Sequence, residues 1–251
     1  RKAAQSAIRR PQSEVYLMLY WLLYLQLQPY FSPFRVFRYL TFRIAFASIT
    51  ALLLCLILGP WLIGRLREFQ IGQYIREEGP RAHQAKAGAP TMGGPLIIIS
   101  FLAPTLLWAD LTSPYVWIAV FATTALGAIG FADDYLKIKR RQSLGLTGRS
   151  KLLLQILISF LVGIFLLVLT AKGLYSTHLI VPFFKKFRPD LLIDAFLGNP
   201  YTYPLAFVFF FIFVVLVIVG SSNAVNLTDG LDGLAVGLTI IAAGALTAMT
   251  Y

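Results

Sequence analysis

An aspartate pair at the edge of an apolar run is the first candidate for chemistry in this sequence. Asp133 and Asp134 directly follow the charge-free run 111–132. The pattern predicts that they end a helix, where the helix dipole disfavours a carboxylate by about 0.3–1 kcal/mol. A compensating charge is therefore expected, either from the basic residues that begin at Lys137 or from a divalent cation. Taken alone, the pair also fits a solvated helix end that binds nothing.

A second polar segment, 221–233, interrupts the apolar pattern with amides, hydroxyls and two carboxylates. If the segment is helical, Asn223, Asn226 and Asp229 recur every three residues and share a face with Gly230 and Gly233. Asp232 is the second carboxylate of the segment. Amides and carboxylates bind sugars, nucleosides and Mg²⁺, and so many polar groups at membrane depth are costly without partners. A plain turn rich in Asn and Asp is the alternative.

Two cationic connections complete the set of candidates. The first, 79–94, is punctuated by Gly and Pro, contains Lys86 and Thr91, and leads into a helix start, where free N–H groups favour phosphate. The second, 137–151, contains Lys137 and Arg149. Either connection is also compatible with a solvated basic loop that binds no anion.

The composition places these candidates in a membrane protein. Of the 251 residues, 58% are hydrophobic and 13% are charged, whereas soluble proteins have about 25% charged residues. The net charge of +11 does not call for a nucleic-acid partner, because topology and anionic lipid headgroups explain basic residues between apolar runs. The single cysteine, Cys55, lies inside an apolar run, and one cysteine cannot form an internal disulfide.

The elements that position the candidates are predicted to be transmembrane helices. Crossing about 30 Å of hydrocarbon takes roughly 20 helical residues, and backbone groups in lipid must be satisfied within the segment. We therefore predict an all-α integral membrane protein, a polytopic helical bundle. Its six spans are expected near 42–64, 93–109, 114–136, 152–171, 203–220 and 234–251. The N-terminal region 1–41 is expected to form a tail and an interfacial segment rich in Tyr and Trp.

The order of these spans brings the candidate segments to one side of the membrane. The connections after the first, third and fifth spans are separated by pairs of crossings, so they share a side. The first two carry eleven Lys and Arg residues against four in the opposite connections, which predicts the cytoplasmic side if the N-terminal basic residues are left out of the count. Carboxylates, amides and cations on one surface suit a Mg²⁺-bridged diphosphate. They predict phosphoryl transfer to an acceptor in the membrane.

Four segments of the chain resemble the phospho-N-acetylmuramoyl-pentapeptide transferase family. They are Ala89-Pro90-Thr91-Met92-Gly93-Gly94, Gly130-Phe131-Ala132-Asp133-Asp134-Tyr135-Leu136-Lys137, Val181-Pro182-Phe183-Phe184-Lys185 and the segment from Asn223 to Ala235. The resemblance runs from about Phe34 to Tyr251, and four motifs in this order and spacing make it specific. Ala89 departs from the family pattern, which usually has Thr at that position.

The resemblance implies a membrane enzyme of about ten helices that acts in peptidoglycan synthesis. It implies transfer of phospho-MurNAc-pentapeptide from UDP-MurNAc-pentapeptide to undecaprenyl phosphate, which gives lipid I and UMP, with Mg²⁺ as cofactor. The implied location is the bacterial cytoplasmic membrane, with the active site on the cytoplasmic face. The sequence leaves the oligomeric state open, a homodimer included.

The resemblance also implies roles for individual residues. Asp133 and Asp134 are the implied catalytic pair, and with Asp229 they are the implied metal ligands. The residues implied in substrate binding are Lys86, Thr91, Lys137, Arg149, Asn223, Asn226, Asp229 and Asp232. The family carries a further aspartate and a histidine cluster beyond the point where this chain stops, so we expect a C-terminally truncated fragment that holds part of an active site.

Direct attack by the lipid phosphate on the phosphorus next to the sugar is the predicted mechanism. A phosphomonoester has a second pKa of about 6 and is mostly dianionic at neutral pH, so it hardly needs a general base. A two-step route through an aspartyl phosphate at Asp133 is the competing mechanism.

Three other functions fit parts of the sequence. The nearest is a sibling enzyme that transfers N-acetylglucosamine-1-phosphate to a polyprenyl phosphate. A cation transporter is disfavoured, because its carboxylates would be distributed through the bilayer rather than clustered at helix ends. An inactive, truncated membrane scaffold is the third.

Overall fold

Six α-helices dominate the residues that the computed structural model describes. These residues are 19, 21–68, 92–140, 145–181, 184, 186–193, 197, 199, 201–229 and 233–250. The helices are α1 (Leu40–Glu68), α2 (Gly94–Trp108), α3 (Pro114–Arg140), α4 (Gly148–Ala171), α5 (Val208–Thr228) and α6 (Leu234–Thr250). A 3₁₀ helix, Tyr203–Phe207, leads directly into α5. A helix therefore lies at each of the six predicted positions.

Four helical segments are long and apolar enough to cross a membrane. They are Leu40–Leu66, Pro114–Arg140, Gly148–Ala171 and Tyr203–Thr228. The apolar helices α2 and α6 are shorter, and the 15 residues of α2 cover about 22 Å at 1.5 Å per residue. The prediction of an all-α membrane protein is confirmed, whereas the number of spans stays a prediction.

Two helix ends differ from the prediction. The aspartate pair does not end its helix, because α3 continues to Arg140, and the polar segment after residue 220 continues α5 as far as Thr228. A helix can continue beyond its apolar part when its charged and amide side chains pair with residues three or four positions away. Lys137, Lys139 and Arg140 also favour the last turn of α3, since cations there complement the helix dipole.

The N-terminal region is built from short irregular helices. Trp21–Leu27 forms a π-helical segment and Ser32–Arg38 a 3₁₀ helix that ends just before α1. Residues 1–18 lie outside the described part of the chain. The predicted interfacial position of this region, and the predicted domain limits, stay predictions.

The chain divides into two compact units, of which the first comprises residues 1–145. In this unit α1 packs against α2, and α2 against α3. An aromatic cluster joins the start of α1 to the end of α2: Trp108 stacks on Phe37 with ring centroids 5.7 Å apart and lies 5.4 Å from Phe46. The Trp108 indole also donates a hydrogen bond to the Thr50 hydroxyl at 3.1 Å. The aromatic packing of Trp108 and its hydrogen bond to Thr50 together fix how α1 packs against α2.

In the second unit, residues 146–251, α4 and α5 run antiparallel along each other. Lys151 contacts Asn226, Gln155 contacts Asn223, and Phe160 stacks on Phe211, so each step forward along α4 matches a step back along α5. Gly163 permits the close approach, because a Cβ atom there would lie 2.7 Å from the Phe211 ring. The α4–α5 pair therefore has one fixed register.

The connection between these two helices is closed by a carboxylate. Asp190 accepts hydrogen bonds from the Thr177 hydroxyl at 2.5 Å and the Leu192 amide at 3.0 Å, and it pairs with His178 Nδ1 at 3.1 Å. Burial by itself would raise the pKa of the Asp190 carboxyl. The hydrogen bonds from Thr177 and Leu192 and the electrostatic effect of His178 outweigh burial, so the pKa lies below its usual range.

We expect Gly163→Ala to destabilise the second unit by about 1–3 kcal/mol, the usual cost of overpacking. The Phe211 ring cannot move aside easily, because it is stacked on Phe160 at 4.2 Å and set edge-on to Phe210 at 5.6 Å. Thermal unfolding in detergent should therefore show a lower midpoint. Gly220→Ala is the matched control, since a Cβ at Gly220 meets nothing within 4 Å. Equal midpoints for the two variants would contradict this packing.

Acid should loosen the loop that Asp190 closes. A carboxyl whose folded pKa is lowered stabilises the fold above its unfolded pKa, about 3.9, and this stabilisation is lost as pH falls through the folded pKa. The Leu179 and Leu191 amides donate across this loop to the Pro189 and Thr177 carbonyls. Their hydrogen-exchange protection should therefore hold from pH 7 to about 5 and fall below about 4. Asp190→Asn should show weak protection throughout. Loop protection that stays constant down to pH 3 while α4 remains protected would refute the role of Asp190.

Candidate active site

One ammonium group holds both members of the aspartate pair. The Nζ atom of Lys137 lies 2.7 Å from Asp133 Oδ2 and 3.0 Å from Asp134 Oδ1. This contact requires the continuation of α3, since Lys137 follows Asp133 by four residues and Asp134 by three, the two spacings that face each other on a helix. The structure thus joins three residues that the sequence marked as candidates.

The two carboxylates differ in accessibility. The Asp133 side chain is 15% exposed and the Asp134 side chain 34% exposed. Gly145 covers Asp133: it is buried, and a Cβ at this position would lie 2.5 Å from the Asp133 carbonyl oxygen and 2.8 Å from its Cγ. Only glycine allows the chain after α3 to approach this closely. A ligand from solvent therefore reaches Asp134 more readily than Asp133.

The charges of this cluster leave it able to accept a divalent cation. Two carboxylates and one ammonium sum to −1, and the ammonium engages one oxygen of each carboxylate. Mg²⁺ is commonly held by one or two carboxylates together with substrate phosphates, so the donor set suits this ion. Within the described ranges no group of three or more His, Cys, Asp or Glu side chains is close enough to hold a metal by itself.

The end of α5 presents a second polar cluster. Asn226 Oδ1 accepts a hydrogen bond from Lys151 Nζ at 3.3 Å, and Asn223 Nδ2 donates to Gln155 Oε1 at 2.8 Å. Both asparagines therefore lie on the face of α5 that meets α4. Asp229 caps the same helix, is exposed, and donates its backbone N–H to the Val225 carbonyl at 3.1 Å.

Three members of this cluster, Lys151, Gln155 and Ser222, are absent from the predicted site residues. Gln155 is buried, with 2% of its surface exposed, and its amide donates to the Ser222 hydroxyl at 3.2 Å. The sequence holds a signal for it: Lys151, Gln155 and Ser159 recur every four residues, a polar stripe on an otherwise apolar helix. Polar residues at such spacing inside a span face protein rather than lipid.

The other predicted residues are placed less fully. Arg149 lies exposed in the first turn of α4, behind Thr147, whose hydroxyl caps the helix by accepting from the Ser150 amide at 3.2 Å. Lys86, Thr91 and Asp232 lie outside the described residues. Asp133 and Asp134 belong to the first unit, and Arg149, Asn223, Asn226 and Asp229 to the second. That these groups form one site stays a prediction, as do their individual roles.

Comparison with known proteins covers most of the chain. It is 62% identical to a phospho-N-acetylmuramoyl-pentapeptide-transferase of Koribacter versatilis and 65% identical to one of Acidobacterium capsulatum, in each case over 93% of this chain and 62% of the relative. A protein of the same name from Syntrophus aciditrophicus is 49% identical over 89% of this chain and 57% of the relative. The chain thus spans about three fifths of the length of these curated relatives.

A family model agrees with these similarities. The model described as glycosyl transferase family 4 matches residues 116–251, more than half of the chain. The matched region includes the Asp133, Asp134 and Lys137 cluster and the polar end of α5. The chain belongs to glycosyl transferase family 4.

Proposed function

We propose that this protein transfers phospho-MurNAc-pentapeptide from UDP-MurNAc-pentapeptide to undecaprenyl phosphate and so forms lipid I and UMP. The observation that carries the proposal is the identity of up to 65%, over 93% of this chain, to proteins named for that transfer. The polar clusters of α3 and α5 supply the carboxylates, amides and cations that a nucleotide diphosphate substrate needs. We place the enzyme in the bacterial cytoplasmic membrane, with these clusters on the cytoplasmic side.

In the proposed reaction the lipid phosphate attacks the phosphorus next to the sugar directly. Two observations favour this route over an aspartyl phosphate at Asp133. The Asp133 carboxylate is only 15% exposed beneath Gly145, and Lys137 holds its Oδ2 at 2.7 Å, which lowers its reactivity as a nucleophile. Asp133 then acts by orienting Lys137 and the metal rather than by attacking phosphorus, and Asp134 is the more accessible of the two carboxylates.

Mg²⁺ is the proposed cofactor, with Asp133, Asp134 and Asp229 as candidate ligands. When bound, the ion would neutralise charge on the diphosphate and on the departing UMP. Lys137 holds the two carboxylates in one orientation and keeps the cluster at −1 rather than −2. A cluster with this charge can bind a cation while still tolerating an anionic substrate beside it.

An assay of two sugar nucleotides tests the proposal against its nearest rival. Full-length protein in lipid nanodiscs should release UMP and form a lipid-linked product from UDP-MurNAc-pentapeptide and undecaprenyl phosphate. UDP-N-acetylglucosamine should give neither product. Transfer from UDP-N-acetylglucosamine alone would assign the sibling activity. No transfer from either donor, by protein that is folded and supplied with Mg²⁺, would leave the transferase proposal without support.

Variants of the aspartate cluster should change the Mg²⁺ requirement in opposite directions. Asp134→Asn removes a negative charge, so the half-saturating Mg²⁺ concentration should rise by about tenfold or more. Lys137→Met removes the competing ammonium, so this concentration should fall by about tenfold while kcat falls by about a hundredfold. Mg²⁺ titration of the initial rate measures both effects.

Lys139→Met is the matched control for Lys137→Met. It removes the same positive charge from α3, but Lys139 lies exposed in the last turn. Its half-saturating Mg²⁺ concentration should stay within about twofold of the original, as expected for a screened surface charge. Shifts in the same direction for Asp134→Asn and Lys137→Met would contradict the proposed arrangement.

A further inference from the structure

A short hydrogen-bond chain crosses from α4 to α5 one turn away from the Lys151 contact. Gln155 is buried between the two helices and uses both ends of its amide. Its Oε1 accepts from Asn223 Nδ2 at 2.8 Å, and its Nε2 donates to the Ser222 hydroxyl at 3.2 Å. Asn223 Nδ2 also donates to the Val219 carbonyl at 2.9 Å.

The Val219 carbonyl fixes the direction of the whole chain. A backbone carbonyl can only accept, so Asn223 must turn its NH₂ group toward it. The same NH₂ group faces Gln155, which must therefore present its oxygen, and its own NH₂ group then faces Ser222. Reversing either amide would place two acceptors or two donors against each other and leave a polar group unsatisfied between the helices.

The fixed direction determines what Asn223 offers to a ligand. With its NH₂ group used internally, its remaining polar atom is Oδ1, which accepts no hydrogen bond from any residue in the described part of the chain. Asn223 is half-buried rather than enclosed. A ligand at this face of α5 therefore meets an acceptor, which suits a hydroxyl or a ring N–H and repels a phosphate oxygen.

Gln155 is not required for the register of the helices. The approach of Gly163 to Phe211 and the stacking of Phe160 on Phe211 fix the register farther along the pair. An apolar residue at position 155 would pack without the cost of burying an amide. What Gln155 adds is a second acceptor for the Asn223 NH₂ group, and this acceptor on α4 holds the amide more firmly than the Val219 carbonyl of the same helix does alone.

We propose that Gln155 is a positioning residue that holds the Asn223 oxygen outward as an acceptor for a donor group of the nucleotide, a ribose hydroxyl or the uracil N–H. This assignment deepens the proposed transferase function and rests on its nucleotide substrate. The contact is remote from the reacting phosphorus, so it stabilises substrate and transition state equally. Its loss should raise KM and leave kcat nearly unchanged.

Four variants of the full-length protein test the assignment. Gln155→Met keeps the size of the side chain but loses the strong acceptor, so KM for the sugar nucleotide should rise about five- to tenfold, the equivalent of one hydrogen bond. Gln155→Glu retains an oxygen toward Asn223 and should restore KM to within about twofold. Asn223→Ala should match Gln155→Met, and adding Gln155→Met to it should change KM no further. Independent, multiplying effects would overturn the assignment.

Ser159→Ala is the matched control on the same stripe of α4. Ser159 is fully buried, but its hydroxyl donates to the Gln155 carbonyl of its own helix at 2.7 Å and does not reach α5. This variant should leave KM unchanged. A rise in KM for Ser159→Ala as large as that for Gln155→Met would reduce Gln155 to a packing role and overturn the assignment.

Calorimetric titration with UMP separates this assignment from the proposed reaction. Gln155→Met should weaken UMP binding about five- to tenfold relative to the unmodified protein, and Gln155→Glu should not. If no sugar nucleotide supports transfer but UMP binding shows this pattern, the transferase proposal fails and the assignment of Gln155 stands. If transfer proceeds normally and Gln155→Met changes neither KM nor the Kd for UMP, the assignment fails and the transferase proposal stands.

Discussion

A polar side chain beside apolar helices must be satisfied by the protein itself, and this constraint decides where the candidate residues lie. Lys137 satisfies two carboxylates of its own helix at once. Gln155 and Asn223 satisfy each other across a helix pair. An unpaired buried amide costs about 1–3 kcal/mol, so Gln155 and Asn223 cannot change orientation independently, and one ammonium ties the two carboxylates to a common position. The clusters therefore behave as preformed arrangements rather than as flexible side chains that a ligand would have to order.

The lengths of the helices decide whether these contacts exist. If α3 ended before Lys137, as the hydropathy pattern suggests, the ammonium would have no fixed position relative to the two aspartates. The helix continues to Arg140, so the four-residue spacing from Asp133 to Lys137 becomes a contact of 2.7 Å. In the same way α5 continues to Thr228, which carries Asn223 and Asn226 onto the face that meets α4. Because both helices continue beyond their apolar parts, the polar residues of each motif have fixed positions relative to one another.

The sequence predicts the class of the fold and the positions of its helices because hydrocarbon imposes a length and a composition on each span. It does not predict where α3 and α5 end, since hydropathy falls at Asp133 and at Ser221 while the helical hydrogen bonds continue. It identifies Asp133, Asp134, Asn223 and Asn226, whose polarity stands out against apolar neighbours. Gln155 and Gly145 are missed. The four-residue spacing of Lys151, Gln155 and Ser159 is a signal for the first, whereas the closeness of Gly145 to Asp133 depends on tertiary structure.

The two asparagines of α5 show how one helix face acquires opposite polarities. Asn223 directs its NH₂ group to two acceptors, the Val219 carbonyl and Gln155 Oε1, so its oxygen is the atom that remains. Asn226 is oriented by the Lys151 ammonium, which can only donate, so its oxygen is used and its NH₂ group remains. Identical side chains three residues apart therefore present an acceptor and a donor, because their neighbours on α4 and α5 differ. Chemical identity alone does not determine what such a motif recognises, since the partner that fixes each amide determines which of its two ends is left.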